Sequence, residues 1–376
     1  IVLTDGINPA ATYDGSTYTQ ITHSDVSGVA ARNVVEEARG TVASHIHAQP
    51  DTVVFTSGAT EANNVGIIGL LNALEDSGVG KHIVTTASEH SSVLEPIRAL
   101  EKSGVEVTYL PVTDEGLVSA TEVAAAIKAN TVLVSVIYAN NEIGSIQPIA
   151  NIGREILKKR KSSGSAYPYF HTDAAQATNY LSLDVEKLHV DLMTLNGAKI
   201  YGPKGIGVLY KRRGVNLSPI IHGGGQEFGL RSGTENVAGI VGIAKAMDIA
   251  RSDADTENRR LRSIQKYLIE ELGRLECKLN GAQIGDSRLC NNINVYVPGI
   301  EGEQIVLYLD SMGVACSTGS ACAEDGSAES HVLLACGYSE ERARSSVRFS
   351  MGRKTTKQDI DRAIRALRKV IQTLQA

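Results

Sequence analysis

Between Thr52 and Tyr210, short β-branched apolar runs recur with helix-like stretches between them: Val53–Phe55, Ile83–Thr85, Val105–Leu110, Val132–Tyr138, Tyr169–His171, Leu192–Leu195 and Gly207–Tyr210. A run that is apolar throughout, rather than alternating with polar residues, is buried on both faces, and strands that alternate with helices join in parallel. This stretch therefore predicts an α/β domain, a mostly parallel sheet wrapped in helices. One helix start is written out in full: Ser119 and Glu122 form a capping box ahead of Val123–Ile127.

Downstream the pattern changes. Thr234–Ala250 reads as a helix, and the charged run Arg251–Asn258 is expected to be a hinge. An amphipathic helix over Arg259–Leu275, a strand near Asn292–Val297 and a final helix from about Lys357 to Leu374 then predict a smaller α+β domain. We expect residues 1–16 to lie with the small domain, 17–250 to form the large domain and 251–376 the small one. The stretch Cys316–Ser330, rich in Ser, Gly, Ala and acidic residues, is expected to be a loop.

Charge and cysteine usage narrow the function classes. Lys+Arg number 37 against 42 Asp+Glu, a net charge of −5, which argues against a nucleic-acid binder. No run approaches the roughly 18 apolar residues of a membrane span. The opening Ile1–Asp5 lacks the basic start of a signal peptide, so none is expected. The five cysteines fall in the last hundred residues without a C-x-x-C pair, which disfavours a disulfide framework and a zinc site and makes a reducing cytoplasm the expected home. Cys277, Cys290 and Cys336 read as core residues, Cys316 as a packed side chain, and His45 and His47 as too poorly aligned to share a metal. Lys158–Lys161 reads as a solvated helix end.

Three segments carry chemistry. Thr56–Asn64 follows a strand and opens an apolar-periodic helix; small residues and free N–H groups suit an anion such as phosphate, with Thr60 placed to cap the helix or bind the anion. Asp173 ends a buried strand, where a carboxylate needs a cation or hydrogen bonds. Lys199 follows another strand among small and apolar residues, and a lysine in a dry pocket becomes a usable amine nucleophile. An amine, a carboxylate and a phosphate-holding helix start are what pyridoxal phosphate needs.

The segments Ser88–Val93, Asn140–Gly144, His171–Gln176, Lys199–Gly205, His222–Glu227 and Arg231–Asn236 resemble the fold-type I, class V aminotransferase superfamily. Within it they are similar to the cysteine desulfurases, and Ser317–Cys322 with the long segment after it resembles the group I branch. The resemblance runs from about Ala30 to the C-terminus. It implies a Schiff base between pyridoxal phosphate and Lys199, which also moves the substrate's α-proton, Asp173 on the ring nitrogen, and His90 stacked on the ring. Gln176 and Asn141 would lie near the phenolic oxygen and the substrate. Thr60, with Ala59 and Asn196, would complete the cofactor site, joined by Thr234 from the second subunit of a homodimer. Arg348 would hold the substrate carboxylate, and Cys322 would take the sulfur of L-cysteine as a persulfide, leaving alanine. No metal is implied. The chain departs from the pattern at Ala198, where His is common, at Asn196, where Ser is common, at Phe228, where Arg is frequent, and across Ile1–Val29. The implied function is sulfur supply to an iron–sulfur scaffold or an RNA-thiolation enzyme; a selenocysteine lyase, another class V enzyme or a silent scaffold homologue are the alternatives.

Overall fold

The computed structural model describes residues 26–75, 80–319 and 329–375, so the segment 1–16 and Cys322 lie outside the described residues. The chain begins with α1 (Val26–His45), a 3-10 turn and β1 (Val53–Thr56). There follow α2 (Ala59–Ala73), β2 (His82–Thr86), α3 (Ser91–Lys102), β3 (Glu106–Leu110), α4 (Ala120–Ala126), β4 (Thr131–Ser135) and α5 (Ile149–Ser163). Then come β5 (Tyr169–Asp173), α6 (Val185–Leu188), β6 (Leu192–Asn196) and β7 (Gly207–Lys211). The remainder is α7 (Val237–Gly273), β8 (Lys278–Leu279), β9 (Asn292–Tyr296), α8 (Gly302–Ser311), α9 (His331–Ala335), α10 (Glu340–Arg344), β10 (Ser346–Ser350) and α11 (Lys357–Leu374).

The seven-stranded sheet runs β1-β7-β6-β5-β4-β2-β3. Its strands β3, β2, β4, β5 and β6 are parallel, and β7 is antiparallel to both neighbours, β6 and β1. Apolar residues in each strand alternate between the two faces, and both faces are covered. Val53, Val84, Val134 and Val208 pack with α1, α5 and the first half of α7. Val54, Ile83, Leu133 and Leu209 pack with α2 and α3. This two-sided burial is why the strands read as continuous apolar runs. From β2 the chain steps one way to β3 and the other way to β4, so the carboxyl ends of β2 and β4 flank a topological switch point, where open α/β sheets bind their ligands.

The smaller antiparallel sheet, β10-β9-β8, packs with α8, α11 and the second half of α7. The hinge expected at Arg251–Asn258 is instead helix: α7 runs unbroken for 37 residues, about 55 Å at ~1.5 Å per residue. Its charged middle is satisfied by neighbours. Asn258 donates to the Tyr180 carbonyl at 2.9 Å, Arg251 to that of Leu181 at 3.2 Å, and Asp253 accepts from Arg353 at 3.0 Å. The helix also starts later than expected, at Val237, because the Asn236 side chain caps it by accepting from Gly239 N–H at 3.0 Å. The strand expected to run on to Tyr138 ends at Ser135. Ser119 and Glu122 form the expected capping box, and Cys277, Cys290 and Cys336 are buried. Arg160 is not solvated: it donates to the Pro168 carbonyl at 2.7 Å and pairs with buried Asp191.

A buried ion pair fixes the loop before α7. Arg39 in α1 grips Glu227 with two bonds of 2.8 Å, and Phe55 N–H donates to the same carboxylate at 2.7 Å. Phe228 lies over the Arg39 guanidinium, 5.1 Å from it, which is the place of the residue that departs from the family pattern. Removing one partner of such a pair leaves a buried charge uncompensated. Glu227→Ala is accordingly expected to cost about 3–5 kcal/mol, measured as a fall in the urea unfolding midpoint at unchanged slope.

Candidate active site

Five connections arrive at one edge of the large sheet. β2, β4, β5 and β6 end there, and β1, antiparallel to β7, ends there too, delivering the start of α2. His90 follows β2, Asn140–Gly144 follow β4, Asp173 closes β5, and Lys199 follows β6.

Asp173 is buried at 4% exposure. Its oxygens accept from Ala175 N–H at 2.9 Å and from the Asn63 amide at 2.8 Å. Asn63, wholly buried in α2, gives its other amide hydrogen to Ser92 Oγ at 2.8 Å, and Ser92 Oγ lies 2.8 Å from His90 Nδ1. Ser92 N–H also donates to that nitrogen, at 3.1 Å. With Nδ1 accepting twice, a neutral His90 carries its proton on Nε2. Burial holds His90 below its ordinary pKa, with nearby Lys199 and His331 working in the same direction and Asp173 opposing it. Carboxylate, amide, hydroxyl and imidazole form one relay. The sequence offers Asn63 and Ser92 no distinguishing mark beyond their motifs, because the relay closes only when α2 and α3 pack side by side.

Glu89, just before His90, feels the charge of Asp173. It is wholly buried and accepts from Ile137 N–H at 2.7 Å and Thr86 Oγ1 at 2.8 Å, while its second oxygen has no partner among the described residues. Burial pushes its carboxyl up to about 8, with nearby Asp173 adding to the rise and the two bonds opposing it.

Lys199 sits in the 3-10 turn Gly197–Ile200 and is exposed, not enclosed in the dry pocket expected from its neighbours. The tight turn, begun by Asn196 accepting from Ala198 N–H at 3.2 Å, aims the side chain out of the sheet edge. Thr60 does not cap α2. Gly58 holds that position without a side-chain bond, which leaves the first-turn N–H groups for another partner, and Ala59 and Thr60 are the first two helical residues. The approach is close: a side chain on Gly207 would place Cβ 2.5 Å from the Gly58 backbone. Burial works to raise Glu61, but its bonds to Ser57 N–H at 2.7 Å and Arg231 at 2.9 Å overcome this and hold it below the carboxylate range. Thr234 lies, within this same chain, in a cleft it shares with Thr56, Ser57, Gly205 and Arg231.

From the smaller sheet, Arg348 of β10 donates to the Asn141 carbonyl at 3.0 Å, while its buried Nε has no partner among the described residues. Ser317 exchanges backbone bonds with Arg348, of 3.1 and 2.6 Å. Gln176, half-buried, lies in the turn after β5. An exposed amine, a hydrogen-bonded carboxylate, an uncapped helix start and a guanidinium with a spare buried N–H could hold pyridoxal phosphate and an amino-acid carboxylate. Among the described residues no group of three His, Cys, Asp or Glu side chains could hold a metal ion, and no helix is long and apolar enough to cross a membrane.

Asn63→Leu removes a bond to a charged group worth about 1.5–3 kcal/mol and is expected to weaken pyridoxal phosphate binding ten- to a hundredfold, read by absorbance titration of the apoprotein. Glu89 gives a pH prediction. Its folded carboxyl holds a proton that the unfolded chain has lost, so its contribution to stability is complete below the ordinary value of 4.5 and is lost as pH rises towards about 8. Glu89→Gln removes the titration: from pH 5 to 8.5 the parent's urea midpoint is expected to fall relative to the variant's.

The class-V aminotransferase family model matches residues 12–363. A protein named cysteine desulfurase IscS from Dictyoglomus turgidum is 44% identical over 350 residues, covering 93% of this chain and 86% of that protein. A solved structure titled NifS-like protein superposes with a TM-score of 0.86 at 33% identity, over 93% of this chain and 91% of the other. A structure titled SspA in complex with cysteine gives 0.75 at 34% identity, over 90% and 92%. On sequence and on fold alike, the chain belongs to the class-V aminotransferase family.

Proposed function

We propose that this chain is a pyridoxal-phosphate-dependent cysteine desulfurase that converts L-cysteine to L-alanine and hands the sulfur on as a persulfide. The observation that carries this reading is the pairing of Ser317 with Arg348. It draws the chain that leads to Cys322 directly from the strand bearing the guanidinium with an unpartnered buried N–H. Relatives named cysteine desulfurase and a neighbour solved with cysteine support the same substrate.

Lys199 is assigned the Schiff base and the α-proton, Asp173 the ring nitrogen, and His90 the ring face, with Gln176 and Asn141 beside them. Ala59, Thr60, Asn196 and Thr234 are assigned to the cofactor, and Arg348 to the substrate carboxylate, where a planar fork of donors suits two oxygens. When bound, pyridoxal phosphate supplies an electron sink next to the substrate α-carbon. The Asn63 amide fixes the Asp173 carboxylate in place, and burial, by lowering the His90 pKa, favours its neutral imidazole. Cys322 acts as the thiolate. Its S–S bond forms as the substrate's C–S bond breaks, the bonding electrons stay on carbon, and protonation there releases alanine.

Sulfur supply to an iron–sulfur scaffold or an RNA-thiolation enzyme, a homodimer and a cytoplasmic setting complete the proposal. Lys199→Ala is expected to abolish the visible absorption of the cofactor-loaded protein. Cys322→Ser is expected to keep that colour while sulfide release from L-cysteine under dithiothreitol stops. Sulfide at the parent rate from the serine variant would overturn the proposed sulfur carrier.

A further inference from the structure

Glu142 follows Asn141 in the connection after β4 and is buried at 5% exposure, though it lies on a loop. A buried carboxyl outside any regular element needs an account of what it holds. Its side chain accepts from Ser330 Oγ at 2.5 Å. The same oxygen, Oε2, lies against Gly319 so closely that a Cβ there would sit 2.2 Å from it. Its own loop is fixed: Glu142 N–H donates to Asn140 Oδ1 at 2.8 Å, and its carbonyl accepts from Asn294 of β9 at 3.2 Å. Burial raises its pKa, against the Ser330 hydrogen bond and the nearby His331 and Arg348 side chains.

Gly319 stands three residues before Cys322 and Ser330 eight residues after it. The chain on both sides of the cysteine is therefore gathered on one carboxyl group, and the residue preceding that group offers its carbonyl to Arg348. A second tie lies alongside, where His331 Nε2 meets the Glu89 carbonyl at 2.9 Å next to His90.

We propose that Glu142 is a positioning residue for sulfur transfer: its carboxyl holds Gly319 and Ser330, which precede and follow Cys322 in the chain, beside the Asn141–Arg348 site without itself binding the substrate. This rests on the assignment of Cys322 as sulfur carrier. A Cβ at 319 would displace the Glu142 carboxyl from its bond to Ser330, and the role needs an acceptor at 142 rather than a charge.

The test uses the full-length, cofactor-loaded protein. Alanine release gives kcat, and absorbance titration with L-cysteine in a Cys322→Ser background gives substrate affinity. Glu142→Ala is expected to lower kcat at least tenfold while cysteine affinity changes less than twofold. Glu142→Gln, which keeps an acceptor for Ser330, is expected to retain at least half of the parent kcat. Gly319→Ala is expected to lower kcat in the parent but to add little in the Glu142→Ala background, the non-additivity of groups in contact. A parent-like kcat for Glu142→Ala, an equal loss of affinity and kcat, or a glutamine variant no better than alanine would overturn the proposal. Should Glu142→Ala fail to fold, a parent-like kcat for Gly319→Ala would overturn it alone. Failure of the underlying assignment shows separately, as sulfide released at the parent rate by Cys322→Ser with Glu142 intact.

Discussion

A carboxylate buried at the end of a strand is unstable unless neighbouring groups solvate it, and Asp173 sets that demand at the centre of this molecule. The answer is Asn63, contributed by α2 from a strand at the far edge of the sheet. Asn63 can serve only if α2 and α3 pack together, because its second hydrogen goes to Ser92 and thence to His90. Satisfying one charge thus fixes the relative position of α2, α3 and β5. Both Asn63 N–H groups are used, and bonds of this kind in a buried network restrict it to few arrangements.

The sheet topology turns that local demand into a site. Parallel strands place every carboxyl end on one edge, and the switch between β2 and β4 opens a crevice there. His90, Asn141, Asp173 and Lys199 come from four separate strand ends. The smaller sheet adds Arg348 from β10, and α7 packs into both hydrophobic cores. A continuous helix couples the two sheets more stiffly than a loop would. Precision of this kind suits a site whose groups must act on one small molecule.

Much of this was legible in the chain. Asp173 and Lys199 announced themselves because a charged residue at the end of an apolar run has few structural uses. The Ser119–Glu122 box was readable because capping is a contact between residues three apart. The hinge at Arg251–Asn258 was misread since a charged stretch is equally a solvated helical face, and only its partners on Tyr180, Leu181 and Arg353 decide between the two. Lys199 was expected in a dry pocket because its neighbours are small and apolar, yet the 3-10 turn directs it outward.

By itself the sequence determined the fold class, the order of the strands along the chain and the identity of the groups able to do chemistry, since these follow from hydrophobic periodicity and from the few side chains with the right acidity or nucleophilicity. Tertiary structure alone decided that Asn63 serves Asp173, that buried Glu89 accepts from Ile137, that Arg39 and Glu227 pin the loop before α7, and that Glu142 meets Gly319 and Ser330. Each of these pairings joins residues far apart in the chain, and their strength depends on burial. Burial is a property of the packed whole that no local stretch of sequence encodes.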